Sequence, residues 1–461
     1  MPAEHYDAIV IGAGQSGGPL TGALTSNGKT TALIERSKLG GTCVNWGCTP
    51  TKTMVASARV AHLAKRAGDY GVNTGPVSVD LSTVRQRKRD IVDMFHGGSS
   101  NAIHSTEGLD VYMGEASFTG EKTITVALNE GGTRELTADQ IFINTGTEPR
   151  FPPVDGIDDV PYLTSTTIME LAEVPDHLIV VGGGYIGLEF GQMFRRFGAN
   201  VTIINSGDRL VNREEPEVSE EVQRIFEEDG IDVYLGARLE GLANHSNGVV
   251  ATVAGKGGTV DITGSHVLMA TGRRPATRAL SPENSRVEVD DHGFVPVNDR
   301  LETNVPGIWA IGDVKGGPAF THISFDEYRI LSTNLFGNGG ASIESRVVPY
   351  VVFIDPELAR VGMSEREARD AGYSVQTASM PMTSVARALE TDETRGLMKA
   401  VIDGDTNQIL GATIFGIAGG EIMSIIQLAM ITGTPYTTMR DAPFAHPTVA
   451  EALNNLFSNV E

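Results

Sequence analysis

Residues 6–18 read "YDAIVIGAGQSGG", an apolar, β-branched run that stops at Gly12 and continues Gly12-Ala13-Gly14-Gln15-Ser16-Gly17. The pattern predicts a buried strand, a tight turn and the start of a helix. Glycines in such a turn let backbone N–H groups approach a pyrophosphate at a helix N-terminus. A second strand, "TTALIE", ends at Glu35, which is placed to accept from a ribose hydroxyl. Alone, the motif is weak evidence for a dinucleotide site.

It recurs in "HLIVVGGGYIGLEFG", residues 177–191, where Gly182, Gly184 and Gly187 follow a strand and a further strand, "NVTIIN", ends at Asn205. Glu35 and Asn205 each stand 23 residues beyond the first glycine of their motif. Two matched intervals point to two dinucleotide folds in one chain. An acid at the strand end favours NAD and repels a 2′-phosphate, so Asn205, with Arg209 and Arg213 beyond it, relaxes that exclusion and admits NADPH beside NADH.

The chain has 461 residues, the length of about three domains at ~150 residues each. Its 36 basic and 58 acidic side chains give a net charge of −22, which argues against nucleic acid as a partner. The N-terminus has no basic leader, and no stretch reaches the ~18 apolar residues of a membrane helix. The expectation is a cytoplasmic protein without a membrane partner.

Only two cysteines occur, Cys43 and Cys48, inside "GGTCVNWGCTPTK" at residues 40–52. In a reducing compartment a close pair points to catalysis or metal binding rather than a structural staple. Five positions apart on a regular helix, their Cα atoms would lie ~8.6 Å apart, beyond the ~4.4–6.8 Å that a disulfide spans. A bond therefore needs a distorted turn, for which Gly47 supplies freedom, and Pro50 suggests a helix beginning near Cys48. A thiolate there is favoured by the helix dipole and by Lys52. Two thiols without a nearby histidine make half a zinc set, so no metal site is expected and redox cycling is the better reading.

These stretches, with "ATGRRP" at 270–275, "IWAIGDV" at 308–314 and "AHPTVAE" at 445–451, resemble the flavin-dependent pyridine nucleotide–disulfide oxidoreductases. That group includes dihydrolipoyl dehydrogenase, glutathione reductase and mercuric reductase, and the resemblance runs end to end. It implies an α/β fold with two Rossmann-like dinucleotide-binding domains, for FAD and NAD(P), and a C-terminal α+β dimerisation domain. The implied division is residues 1–147 and 272–345 for FAD, 148–271 for NAD(P) and 346–461 for dimerisation. The FAD part would carry a long helical pair, from "TKTMVASARVAHLAKRAGDYG" to "VRQRKRDIVDMFHGGSSNAI". In the last part, "PYVVFIDPELARVGM" reads as strands and a turn, and "GEIMSIIQLAMITG" as a buried helix whose methionines pack the core.

By the same resemblance, Gly12, Gly14, Gly17, Glu35, Gly41, Thr42, Thr145, Gly146 and Asp313 would hold FAD, with Asp313 at the end of a strand. Gly182, Gly184, Gly187, Asn205, Arg209 and Gly272 would hold NADPH or NADH. Lys52 and Glu189 would pair beside the flavin, and Tyr185 would cover the nicotinamide pocket. Cys43 would attack substrate and Cys48 would face the flavin. His446, oriented by Glu451, would act as acid/base for Cys43 of the other subunit of a homodimer, whereas His322 is read as structural.

The acceptor is left open. The "CVNWGCTPTK" block is similar to mercuric reductase, which implies a thiol-bound metal ion such as Hg(II), although the chain ends "LFSNVE" without the C-terminal cysteine pair of those enzymes. His446 and Glu451 favour a small disulfide, as in dihydrolipoyl dehydrogenase. A thiol-based redox sensor or metal-binding flavoprotein is the reading of another class.

Overall fold

The computed structural model describes residues 3–246, 248–344 and 346–461. Two compact units divide it: Met1–Thr53, Gln86–Arg150 and Gly272–Arg346 form one, and Met54–Arg85, Phe151–Thr271 and Val347–Glu461 the other.

In the first unit the opening motif is the central strand, Glu4–Ile11. Thr31–Glu35 runs parallel on one side and Thr133–Ile143 on the other, with Ile11 opposite both Ile34 and Ile143. Leu109–Gly120 extends the sheet beyond Thr31–Glu35, and Ile308–Ala310 extends it beyond Thr133–Ile143. Both faces of the central strand are buried, which is why it reads as an unbroken apolar run. Ile9 and Ile11 pack with Ile34 and Ile141 on one face, and Ala8 and Val10 with Leu20, Leu24 and Leu33 on the other. Leu109–Gly120, Thr123–Leu128 and Thr133–Ile143 also form an antiparallel meander.

The second unit contains the repeat. His177–Val181, Asn200–Asn205, Asp232–Leu235 and His266–Met269 make a parallel sheet, and Arg238–His245, Gly248–Gly255 and Gly258–Gly264 an antiparallel one. Helix Tyr185–Phe197 buries Leu188, Phe190, Met193 and Phe194 in a core shared with Leu178, Val180 and Ile203. Five antiparallel strands, in the order Pro349–Val352, Glu357–Gly362, Ile409–Gly416, Leu397–Asp403 and Val375–Pro381, form the C-terminal sheet.

The "GEIMSIIQLAMITG" stretch is the helix Gly419–Ile431, but it is not buried all round. Ile422, Met423, Ile426 and Ala429 face the core, while Leu428 and Ile431 remain 63% and 61% exposed. The apolar spacing covers more of the helix than one sheet face can bury. The helical pair is Cys48–Lys65 and Leu81–His104. Among the described residues no helix is long and apolar enough to cross a membrane.

Candidate active site

The two glycine turns have the same construction. Gly12 lies at φ +106°, and a Cβ there would meet the Asn144 carbonyl oxygen at 2.3 Å; Gly182, at φ +119°, would meet that of Ala270 at the same distance. A Cβ on Gly17 would stand 2.1 Å from the Gly12 oxygen, and one on Gly187 2.0 Å from the Gly182 oxygen. These glycines let the following helix close onto its strand. Gly14 and Gly184 differ: nothing lies within 4 Å of a Cβ on Gly184, and a Cβ on Gly14 would meet only the Asn144 side-chain Nδ2, at 3.3 Å, so no backbone closes over either. That is the cradle a pyrophosphate needs.

The strand-end residues correspond as well. Glu35 accepts from Ala13 N–H at 2.9 Å and from Ser37 N–H at 2.8 Å. Asn205 Oδ1 accepts from Gly183 N–H at 3.1 Å, while its Nδ2 donates to the carbonyls of Gly207 at 3.1 Å and Arg209 at 2.9 Å. Asn205 is therefore more than a missing acid: its amide ties the loop that presents Arg209. An acid there would set its oxygens against both carbonyls. Neither Arg209 nor Arg213 forms an ion pair among the described residues.

Consecutive positive φ angles at Gly40 (+93°) and Gly41 (+68°) carry the cysteine loop onto the first turn. A Cβ on Gly41 would lie 2.6 Å from the Gly14 Cα, and Gly40 N–H donates to the Ala13 carbonyl at 3.0 Å. Cys43 sits in the short helix Gly41–Asn45, and Cys48 opens the helix Cys48–Lys65. The helix thus breaks between the thiols, as a bond between them requires. Gly47 is needed for room and not for a positive φ, because a Cβ would meet the Thr42 oxygen at 2.9 Å.

Cys43 and Cys48 are not joined by a disulfide here, Cys43 being half-buried and Cys48 exposed. Cys48 Sγ lies 3.3 Å from Thr321 Oγ1. Its hydrogen bond to Cys48, then burial, push the Cys43 thiol far up, against a smaller opposing effect of Thr321. The two thiols thus act as one hydrogen-bonded pair, and Cys48 opens a helix whose N-terminus favours a negative charge.

Asp313 lies in the single turn Gly312–Lys315 just beyond its strand, and its Oδ2 accepts from Thr147 Oγ1 at 3.1 Å. Thr145 Oγ1 is buried with no partner among the described residues, and Gly146 and Gly272, at φ +66° and +104°, have open space where a Cβ would stand. The orphaned Thr145 hydroxyl and the open space at Gly146 suit FAD. Lys52 occupies the first turn of Cys48–Lys65. Glu189 is buried on Tyr185–Phe197, where its Oε1 accepts from Phe353 N–H at 2.8 Å. His446 Nδ1 lies 2.8 Å from Glu451 Oε2, with the imidazole 68% exposed. His322 is exposed and stacks on Phe320 at 5.6 Å.

Sequence reasoning missed Asn144, whose Nδ2 donates to the Gly12 carbonyl and whose Oδ1 accepts from Ser16. It also missed Thr321 and Tyr350, the latter stacked on Tyr185 with centroids 5.7 Å apart. None of the three lies in a local motif that marks it.

Residues 6–327 match the family described as pyridine nucleotide-disulphide oxidoreductase, and residues 348–457 match its dimerisation domain. The probable pyridine nucleotide-disulfide oxidoreductase RclA of Escherichia coli is 37% identical over 99% of this chain and 100% of its own. Its Cu(II) complex, described as an HOCl-induced flavoprotein disulfide reductase, superposes with a TM-score of 0.89 over 99% of each chain. The mercuric reductase of Streptomyces lividans is 34% identical over 97% of this chain and 94% of its own, and the dihydrolipoyl dehydrogenase of Haloferax volcanii 34% identical over 99% and 96%. The chain belongs to the pyridine nucleotide–disulphide oxidoreductases, flavoprotein enzymes that use FAD and NAD(P)H.

Proposed function

We propose that this chain is an NAD(P)H-dependent reductase whose Cys43–Cys48 couple delivers electrons to a thiol-ligated metal ion, Cu(II) or Hg(II). The observation that carries this reading is the placement of Cys43 and Cys48 on either side of the break before helix Cys48–Lys65, with Thr321 Oγ1 3.3 Å from Cys48 Sγ. Its resemblance to a reductase solved with Cu(II) and to mercuric reductases supports the acceptor class. Bound FAD, held by the first glycine turn, Glu35 and Asp313, supplies the carrier between nicotinamide and thiols. Cys48 holds the thiolate, Cys43 keeps a proton until an acceptor arrives, and Lys52, on the same helix as Cys48, adds positive charge there. The balance closes with one NAD(P)H for two Cu(II) reduced to Cu(I), or for one Hg(II) reduced to Hg(0).

A small disulfide is the second reading, favoured by the His446–Glu451 pair. Glu451 accepts from Nδ1–H, which leaves Nε2 to carry a proton. Cleaving a disulfide requires that proton at the leaving sulfur, whereas reducing a thiolate-bound metal does not. The exposed His446 lies in the segment matching a dimerisation domain, and it acts at Cys43 of a second copy in a homodimer.

Acceptor-dependent oxidation of NADPH and NADH, compared for Cu(II), Hg(II) in excess thiol, lipoamide and glutathione disulfide, tests the assignment. Metal-dependent turnover that is lost in Cys43→Ser and kept in His446→Ala supports the first reading. Turnover with a disulfide alone, lost in both variants, replaces it with the second.

A further inference from the structure

The antiparallel register that sets Pro349–Val352 against Glu357–Gly362 places Tyr350 directly opposite Arg360, so both side chains stand on one face of the sheet. Glu214 meets them there with its side chain fully buried. Tyr350 donates its hydroxyl proton to Glu214 Oε1, while Glu214 Oε2 makes no hydrogen bond among the described residues and faces the Arg360 guanidinium at 3.8 Å. Arg360 is itself held, donating to the Arg213 carbonyl at 3.0 Å and to Glu367. Burial, then Glu214, push the Tyr350 phenol up, so it stays a donor. The ring cannot swing away without unmaking a buried, charge-assisted hydrogen bond.

Tyr185 stacks on this fixed ring, with centroids 5.7 Å apart and planes 28° apart. It is the first residue of helix Tyr185–Phe197, directly after Gly184, whose Cα faces open space. One ring of the pair is anchored, and the other stands at the mouth of the nucleotide turn.

We propose that Tyr350 is a positioning residue for the nicotinamide site: anchored by Glu214, it holds Tyr185 in its closed, stacked position, and a nicotinamide must break that stack to bind. The inference rests on reading Tyr185 as the cover of the nicotinamide pocket. Offset stacking of this kind sets the effect at about 2- to 10-fold in affinity.

The test is calorimetric binding of NADP⁺ and NAD⁺ to the FAD-loaded protein, with ADP-ribose, which lacks nicotinamide, as a second probe. Tyr350→Leu is expected to tighten the nicotinamide nucleotides by about 2- to 10-fold and to leave ADP-ribose unchanged. Tyr350→Phe, which keeps the ring but loses the bond to Glu214, is expected to fall between the parent and Tyr350→Leu. In a Tyr185→Ala background Tyr350→Leu has no further effect. Unchanged or weaker nucleotide binding in Tyr350→Leu, an equal change with ADP-ribose, or the same gain without Tyr185 overturns the proposal. If Tyr185→Ala alone leaves nicotinamide binding unchanged, it is the cover reading itself that fails.

Discussion

Cys48 Sγ and Thr321 Oγ1, 273 residues apart in the chain, lie 3.3 Å from one another. The hydroxyl can donate to a Cys48 thiolate, and a hydrogen bond to a charged acceptor contributes about 1.5–3 kcal/mol. Cys48 is exposed in the chain, so the lower end applies. Thr321→Val removes the donor and keeps the shape. The long-wavelength absorbance that a thiolate facing oxidised flavin produces should then develop at higher pH, by about one unit. A pH titration of the two-electron-reduced protein reads this directly.

His446 should matter where a proton is needed. The hydrogen bond to Cys48 and burial hold the Cys43 thiol well above its ordinary range, so Cys43 needs a base to attack at neutral pH. His446→Ala is expected to slow disulfide turnover by ~10²-fold or more, while reduction of the flavin by NAD(P)H keeps its rate. Glu451→Gln keeps a hydrogen-bond acceptor but removes the charge, and should fall between. Stopped-flow half-reactions separate the two steps.

Nucleotide binding can be dissected without disturbing the fold. Nothing lies within 4 Å of a Cβ on Gly184, so Gly184→Ala should fold normally yet bind NADH and NADPH at least ~10-fold more weakly, because the methyl group intrudes on the pyrophosphate's approach. Arg209→Ala leaves the carbonyl that Asn205 holds intact. It should raise the KM for NADPH by roughly 10-fold, the loss of one charged contact, and spare NADH. Equal effects on both nucleotides would remove Arg209 from the 2′-phosphate site.

Asp355 is the stability counterpart. Burial alone would raise its carboxyl, but Arg196 and Arg59 outweigh burial and hold it below the usual range. Arg196 is itself buried, and Arg59 also reaches Glu393 Oε1 at 2.6 Å. Asp355→Asn strands a buried guanidinium and should cost about 3 kcal/mol in urea unfolding. A depressed carboxyl stabilises above the unfolded value, and that contribution is lost as pH falls through the folded value. The gap between parent and variant should therefore be full at neutral pH and shrink below about pH 4.

The glycine turns were legible because their requirement is local. Gly12 must take a φ of +106°, and a Cβ on Gly17 would strike the Gly12 carbonyl five residues back. The break before Cys48 was legible from Gly47 and Pro50, although the part Gly47 plays proved to be space rather than φ. Thr321 and Tyr350 were not legible, because each becomes meaningful only when a segment over 100 residues away is folded against it. Asn205 was half legible: its place at the strand end marked it, but two of its three hydrogen bonds depend on the course of the loop after it. Leu428 and Ile431 escaped because apolar spacing does not say which apolar residues one sheet can cover.

The central claim is that electrons leave through Cys43 and Cys48, with Cys48 facing the flavin. Anaerobic reductive titration of the parent and of Cys48→Ser tests it most directly. The parent should take up two electrons with the long-wavelength band rising before the flavin bleaches. Cys48→Ser should show no such band and should bleach from the first equivalent. A band of undiminished strength in Cys48→Ser would contradict the account.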